Sequence, residues 1–326
     1  MLDNFAREIN YLRVSVTDRC NYRCVYCMPA EGVPMHCRDE ILSLEEILKV
    51  IKSSTKLGIR KIRLTGGEPL VRKGIINLVQ GIARIPQIDD IALTTNGALL
   101  PAYATALKEA GLKRVNISLD TLKPDRFRQI TRVGRLRDVW AGIEAAWEEG
   151  FEPVKINTVV IRGFNDDELL DFVNLTKKLP LHIRFIELMP IGVSDKFPAD
   201  KFISVRQIKA KISQYENLEV AKKLAGNGPA RYYKIPGAAG SIGFISALSD
   251  HFCGQCNRLR LTSEGKLRPC LHSPQEVDLK ASLRLGLSEE ELAEIMRQAV
   301  LSKPEGHTMN ARGWGDNNRT MSQIGG

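Results

Sequence analysis

The sequence predicts an α/β fold: a partial, open six-stranded βα barrel with a smaller α+β C-terminal part closing it. Three observations carry that expectation. Strand-like runs alternate with helical stretches six times between Tyr11 and Leu188, the rhythm of parallel βα units with helices outside the sheet. Six units are too few for a closed eight-stranded barrel. After Pro190 the rhythm gives way to short strands interrupted by Gly and Pro.

Tyr11–Thr17 alternates as the first strand. Ser43-Leu44-Glu45-Glu46 is a capping box opening a helix to about Leu57, with Gly58 as its stop. Lys61–Thr65 is the second strand, ending in Gly66-Gly67-Glu68-Pro69, with a helix from about Gly74 to Ile85. Asp90–Asn96 and a helix over Pro101–Ala110 form the third unit. Arg114–Leu119 and helical material including Leu136–Glu149 form the fourth. Val154–Ile161 with a helix from Asp166 to Leu179 is the fifth, and His182–Leu188 the sixth strand. Beyond it, Gly192–Lys201 is a loop and Ser204–Gln214 a short helix. Leu218–Leu248 holds short strands, and Arg258–Leu271 is a hairpin turning near Glu264-Gly265. Helices over Val277–Leu285 and Glu289–Leu301 follow, which places a boundary between residues 1–217 and 218–326.

The strands have two unlike faces. One is apolar: Leu12, Val14, Val16, Ile62, Leu64, Ile91, Leu93, Val115, Ile117 and Leu119. The other is polar or charged: Arg13, Ser15, Arg63, Thr65, Thr94, Asn96, Asn116, Ser118, Lys155, Asn157 and Arg184. A period of two puts each set on one side of the sheet. With the apolar side against the helices, the lumen is wet and carries Arg13, Arg63, Lys155 and Arg184. Four cations in phase suit a polyphosphate.

The chain has 326 residues, of which 43% are hydrophobic and 26% charged, an ordinary balance for a chain with a sizeable core. A formal charge of +9 calls for an acidic partner without saying which. Met1–Tyr11 has no apolar h-region and no stretch approaches a charge-free membrane span, so a cytoplasmic protein with no membrane partner is expected. There, clustered cysteines bind metal or do chemistry more often than they pair.

The seven cysteines are Cys20, Cys24, Cys27 and Cys37 near the start, and Cys253, Cys256 and Cys270 near the end. Cys20, Cys24 and Cys27 form a C-x3-C-x2-C loop just after the first strand, where βα loops build active sites. Three thiolates on one iron–sulfur cluster leave an iron open for chemistry. Local spacing alone leaves zinc and iron–sulfur both open. Around the second triplet, His251 or His272 could complete a zinc site. The run Asn257-Arg258-Leu259-Arg260 puts cations beside it, which an anionic substrate would use and a structural metal would not. Cys37 has no assigned role.

The stretch from Leu12 to Pro29, with Thr17-Asp18-Arg19-Cys20-Asn21 and the Cys loop, resembles the radical S-adenosylmethionine enzymes. The resemblance implies a radical SAM barrel with a [4Fe–4S] cluster on Cys20, Cys24 and Cys27. S-adenosylmethionine would chelate the free iron, and its reductive cleavage would give a 5′-deoxyadenosyl radical. By the same correspondence Gly66, Gly67 and Glu68 meet the methionine amine, Tyr26 and Ser118 the adenosyl part, and Met189 the adenine edge. Cys253-Gly-Gln-Cys256-Asn-Arg-Leu-Arg260, Leu267-Arg268-Pro269-Cys270-Leu271 and the Gly325-Gly326 end together resemble the GTP 3′,8-cyclase family of molybdenum-cofactor biosynthesis, over Tyr11 to Gly326.

That resemblance implies a second [4Fe–4S] cluster on Cys253, Cys256 and Cys270, with GTP as substrate. The radical would take the C3′ hydrogen and the ribose would attack guanine C8, giving 3′,8-cyclo-7,8-dihydro-GTP. Arg13, Arg63, Thr94, Lys155, Arg258 and Arg260 match positions that family uses for GTP; strand phase adds Arg184, and Arg72, Leu259 and Arg268 are further substrate candidates. Catalytic roles fall to Arg258, Arg260, Arg268, Gly325 and Gly326, the two glycines reaching into the site. Implied partners are a flavodoxin- or ferredoxin-like low-potential donor, the cyclic pyranopterin monophosphate synthase that accepts the product, and a second copy in a homodimer. Two other readings compete. One is a radical peptide- or RNA-modifying enzyme with an auxiliary cluster, which needs a wider groove. The other is a basic metal-binding nucleic-acid module, disfavoured because no Lys/Arg run is interleaved with aromatics.

Overall fold

The computed structural model describes residues 1–34, 36–191, 199–222, 224–226, 228–307, 309 and 319–324. All six expected strands form: β1 (Tyr11–Ser15), β2 (Lys61–Thr65), β3 (Asp90–Thr95), β4 (Arg114–Ser118), β5 (Lys155–Val160) and β6 (His182–Glu187). Between them run α1 (Leu44–Thr55), α2 (Ile75–Ala83), α3 (Ala104–Glu109), α4 (Pro124–Thr131), α5 (Leu136–Glu148) and α6 (Leu169–Lys178). The capping box that opens α1 closes reciprocally. The Glu46 amide donates to Ser43 Oγ at 3.1 Å, and the Ser43 amide to the Glu46 carboxylate at 2.7 Å. The helical material after β4 divides in two: Pro124 starts α4, and Arg132, at φ 63°, ends it before α5 begins.

The rest of the chain supplies α7 (Val205–Ser213), β7 (Glu219–Val220), β8 (Arg231–Lys234), β9 (Ser241–Ile245), β10 (Arg258–Leu261), β11 (Lys266–Arg268), β12 (Val277–Asp278), α8 (Leu279–Arg284) and α9 (Glu289–Leu301). The expected hairpin is β10–β11. It does not stand apart from the barrel: β10 lies parallel beside β1, and β9 parallel beside β6. One sheet results, in the order β12-β11-β10-β1-β2-β3-β4-β5-β6-β9-β8-β7. The six-stranded open barrel is therefore widened at both edges by C-terminal strands.

The sheet is strongly curved. In a flat sheet β2 and β6 would stand four spacings, about 19 Å, apart. Here Arg63 of β2 and Arg184 of β6 line the same small cavity with Arg114, Lys155 and Tyr232. The apolar strand faces named from the sequence all lie in one buried core against the helices, so the polar faces point inward. Residues 224–226 and Gly228, between β7 and β8, reach this lumen at the starts of β4 and β5. There the Ala225 carbonyl accepts from Arg114 and Lys155. With that end occupied, the lumen is served from the C-terminal ends of the strands. Among the described residues no helix is long and apolar enough to cross a membrane.

Phe185 of β6 stands between Phe172 of α6 and Phe244 of β9, at ring distances of 6.2 and 6.0 Å, and is fully buried. Phe185→Ala is expected to destabilise the whole chain by about 3–5 kcal/mol, read as a lower urea midpoint. An unchanged midpoint would contradict the merging of β9 with the barrel.

Candidate active site

Strand register builds the site. Arg268 of β11 faces Arg260 of β10, Arg260 faces Arg13 of β1, and Arg13 faces Arg63 of β2. The row continues through Ala92 of β3 to Arg114 of β4. Neighbouring strands are about 4.8 Å apart, and like charges directly opposite are destabilising. The ends of the row are ion-paired, Arg114 with Asp90 and Arg268 with Glu276. At its centre Arg63 donates to the hydroxyls of Tyr11 and Thr94. Arg184 of β6 donates to Asn116 at 2.7 Å. Among the described residues Arg63, Lys155, Arg184 and Arg258 have no carboxylate within ion-pair distance.

The electrostatic consequence shows in Lys155, Arg260 and Tyr11. Burial, then Arg184, Arg114 and Arg63, brings Lys155 down to about 6. Burial and then Arg258 bring Arg260 down to about 10. Burial alone would raise the Tyr11 phenol, but Arg63, Arg13 and Arg258 outweigh it and hold it below its usual range. Such a field is relieved by an anion.

The first cysteine loop sits at the C-terminal end of β1 and is held from three sides. The Cys27 amide donates to the Cys24 carbonyl at 2.9 Å, and the Tyr22 amide to Cys20 Sγ at 3.3 Å. Asn96, just past β3, donates to Asn21 at 2.7 Å. The Gly66-Gly67-Glu68 turn pairs directly with the loop: the Gly67 amide donates to Thr17 O and the Glu68 amide to Arg19 O, both at 2.8 Å. A Cβ on Gly66 would stand 2.5 Å from Thr17 O, and one on Gly67 2.3 Å from Arg19 O. The glycines are thus required by the loop backbone itself. The Glu68 carboxylate is fully buried and accepts from Thr95, Asn96 and Leu70. Its side chain braces β2 to β3, and burial lifts its pKa to about 7.

Burial pushes Cys20 up to about 11, Cys27 up to about 12 and Cys24 well above the ordinary thiol range, so thiolates there need a cation. Among the described residues, neither triplet brings three ligand atoms within 4.8 Å of one another. A single tetrahedral ion requires closer approach, whereas a cluster with its irons spread out takes wider thiolates. The donor set fits an iron–sulfur cluster.

Cys253, Cys256 and Cys270 line a second cavity with Met189, Arg258, Arg260, Lys303, His307 and Met309. Burial opposes the Cys256 thiolate, but Arg258 and Lys303 outweigh it and bring Cys256 down to about 7. The Lys303 ammonium is buried and donates to the carbonyls of Arg258 and Pro269. The C-terminal segment joins the two sites. Ser322 hydrogen-bonds Cys27, while the Ile324 carbonyl accepts from Arg260 at 3.5 Å. Gly325 and Gly326, assigned to the site from the sequence, lie outside the described residues.

The structure gathers Arg13, Arg63, Thr94, Lys155, Arg184, Arg258 and Arg260 around the lumen and the second triplet. Three residues are placed otherwise. Arg72 donates to the Leu42 carbonyl at 2.8 Å, by the entry to α1. The Arg268 guanidinium is held by Glu276 and the carbonyls of Leu271 and Ser273. Leu259 is buried in the helix-side core, as alternation between Arg258 and Arg260 dictates. Tyr26 donates to Asp120 at 2.7 Å, and Ser118 ends β4 beside Asn157. Arg114, Lys303 and Arg7 escaped the sequence reading, which places Asn96 on the polar face without a role. Arg7 ties the N-terminus to the second site through the carbonyls of Cys253, Pro304 and Glu305. Only Arg114 had a signal, sharing the phase of Asn116 and Ser118.

Comparison with known proteins agrees with this geometry. Residues 14–176 match the Radical SAM superfamily, which is the class that the curved βα sheet and its cysteine loop define. Residues 181–309 match Molybdenum Cofactor Synthesis C. Proteins named GTP 3′,8-cyclase from Heliobacterium modesticaldum and Pelotomaculum thermopropionicum are each 56% identical, with full coverage of both chains. One from Desulforamulus reducens is 55% identical, again over 100% of both. The chain belongs to the GTP 3′,8-cyclase family of radical SAM enzymes. Family membership implies S-adenosylmethionine and a [4Fe–4S] cluster. Among solved structures, Streptococcus suis SuiB bound to S-adenosylmethionine has a TM-score of 0.63 at 14% identity, covering 97% of this chain and 77% of that one. SuiB alone has 0.61 at 15%, covering 93% and 74%. At these identities the likeness is one of fold.

Gly67→Ala is expected to displace the first cysteine loop while leaving the second triplet intact. Reconstituted Gly67→Ala protein should lose roughly half of its iron–sulfur absorbance if each triplet holds one four-iron cluster. Full absorbance would contradict the packing argument.

Proposed function

We propose that the chain converts GTP to 3′,8-cyclo-7,8-dihydro-GTP, the first step of molybdenum-cofactor biosynthesis. The observation that carries this reading is the row of arginines in register across β11, β10, β1, β2 and β4, running from the second cysteine triplet into the lumen. A triphosphate answers the repulsion within that row, and a base beside Cys253, Cys256 and Cys270 puts the rest of the nucleotide between the two triplets.

Cys20, Cys24 and Cys27 would hold the cluster that, with S-adenosylmethionine, would supply a deoxyadenosyl radical for removal of the C3′ hydrogen. Closure of the ribose on C8 would then need one electron, from the low-potential donor, and one proton to give the dihydro product. The protein's own residues position and shield. Gly66, Gly67, Tyr26, Ser118 and Met189 are assigned to S-adenosylmethionine. Glu68, with its carboxylate bound to Thr95, Asn96 and Leu70, shapes the turn that receives it. Arg13, Arg63, Lys155 and Arg184 take the phosphates, with Thr94 orienting Arg63. Arg258 and Arg260 bridge the lumen and the second triplet, which we assign to a second [4Fe–4S] cluster that receives the guanine. Arg268 holds β11 and Cys270 in place through Glu276 rather than touching substrate. Gly325 and Gly326 extend the segment whose Ser322 and Ile324 already reach Cys27 and Arg260. A flavodoxin- or ferredoxin-like donor, the cyclic pyranopterin monophosphate synthase as product acceptor, a homodimer and a cytoplasmic location complete the reading.

Anaerobic incubation with reductant, S-adenosylmethionine and each nucleoside triphosphate tests it. Deoxyadenosine and a cyclised nucleotide are expected from GTP alone, with about eight irons per chain. Equal turnover of the other triphosphates, or zinc on the second triplet, would overturn it.

The pH dependence follows from Lys155. It is largely neutral above its pKa of about 6 in the free protein, and phosphate beside it raises that value. Above about pH 6, until the raised value is reached, GTP binding takes up a proton, so affinity falls as pH rises, by up to about tenfold per unit. Lys155→Met is expected to flatten that fall between pH 7 and 9 in calorimetric titrations. An unchanged slope would remove Lys155 from the phosphate site.

A further inference from the structure

One group of metal-ligating side chains converges more closely than either cysteine triplet. Ligand atoms of His251, Cys253 and His307 all lie within 4.8 Å of one another, and among the described residues no other three His, Cys, Asp or Glu do so. From Zn–N distances of about 2.0–2.1 Å and a Zn–S distance of about 2.3 Å, tetrahedral neighbours stand about 3.3–3.6 Å apart. Closing on an ion therefore needs a shift of only about an ångström. The His307 ring is already set. Its Nε2 lies 2.8 Å from the Ala247 carbonyl, which can only accept, so Nε2 carries the proton. That leaves the Nδ1 lone pair, which is buried without a hydrogen-bond partner. A carbonyl holding one ring nitrogen while the other keeps its lone pair for a metal is how metal-ligating histidines are held. The His251 and His307 rings meet edge to face at 5.0 Å, and the His307 backbone amide hydrogen-bonds Cys253.

We propose that the chain without its second cluster binds one divalent ion of the borderline class, such as Fe(II), Zn(II) or Co(II), through His251, Cys253 and His307. Binding releases the Cys253 thiol proton to solvent and moves no electron. Because Cys253 is shared, this ion and a cluster on Cys253, Cys256 and Cys270 exclude each other. That exclusion rests on the second-cluster reading, whereas the mononuclear site rests on the three ligands alone. The one-thiolate, two-imidazole donor set suits these ions, whereas Mg and Ca prefer oxygen.

The test is an anaerobic Co(II) titration of the full-length, cluster-free chain, which involves neither S-adenosylmethionine nor GTP and so can fail independently of the cyclase reading. One equivalent should bind with the visible absorption of tetrahedral Co(II) and a one-thiolate charge-transfer band. The Cys256→Ser/Cys270→Ser double variant should bind as the parent does, while His251→Ala/His307→Ala should not bind at that site. His307→Gln keeps a donor for the Ala247 carbonyl but lacks the ring ligand. It should weaken binding by more than the 10–100-fold typical of losing an outer-shell partner. Loss of Co(II) in the double-serine variant, or retention in the histidine variants, would show that the ion uses the cysteine triplet and would overturn the proposal.

Discussion

Side-by-side arginines on adjacent strands are the feature to which the rest of this molecule is fitted. Two unit charges about 5 Å apart repel by about 3 kcal/mol at an effective dielectric of about 20. A sheet would ordinarily slip or substitute to avoid such a row. It cannot slip here, because moving one strand by one residue would turn Leu12, Ile62 or Leu259 into the lumen and a guanidinium into the core. The apolar face locks the register, and the register holds the cations together. Asp90 and Glu276 pair with the ends, and at the centre Arg63 has no carboxylate within ion-pair distance among the described residues, which is where a polyphosphate fits.

The two cysteine loops are tied to this sheet by different means. The first leans on the Gly66-Gly67-Glu68 turn, which approaches so closely that no side chain fits between them. The second hangs from β10 and β11 and is held by two buried cations, Arg7 and Lys303, that donate to backbone carbonyls around it. Because β10 pairs with β1, both triplets belong to neighbouring strands of one sheet although more than half of the chain separates them.

Most of the barrel was legible because its signals are local. The alternation of Arg13, Arg63, Lys155 and Arg184 with Leu12, Ile62 and Ile156 sets their faces without knowledge of partners, and Ser43 with Glu46 marks a helix start wherever it occurs. Pairing of β10 with β1 and of β9 with β6 was not legible, because parallel pairing across long separations leaves no local pattern. Lys303 and Arg7 were missed for the same reason, each being a lone cation in an unremarkable stretch. Arg72, Arg268 and Leu259 enter as further substrate candidates beside the family positions. The structure shows Arg72 donating to Leu42, Arg268 held by Glu276 and Leu259 in the core, the last as simple alternation dictates.

The claim that the lumen's charge is held for an anion can be measured on the cluster-free, full-length chain by its thermal unfolding midpoint at rising concentrations of inorganic triphosphate. Ligand that binds only the folded state stabilises by mass action. The midpoint should therefore rise with triphosphate, and Arg63→Met should blunt the rise. A midpoint indifferent to triphosphate in the unaltered chain would contradict the account.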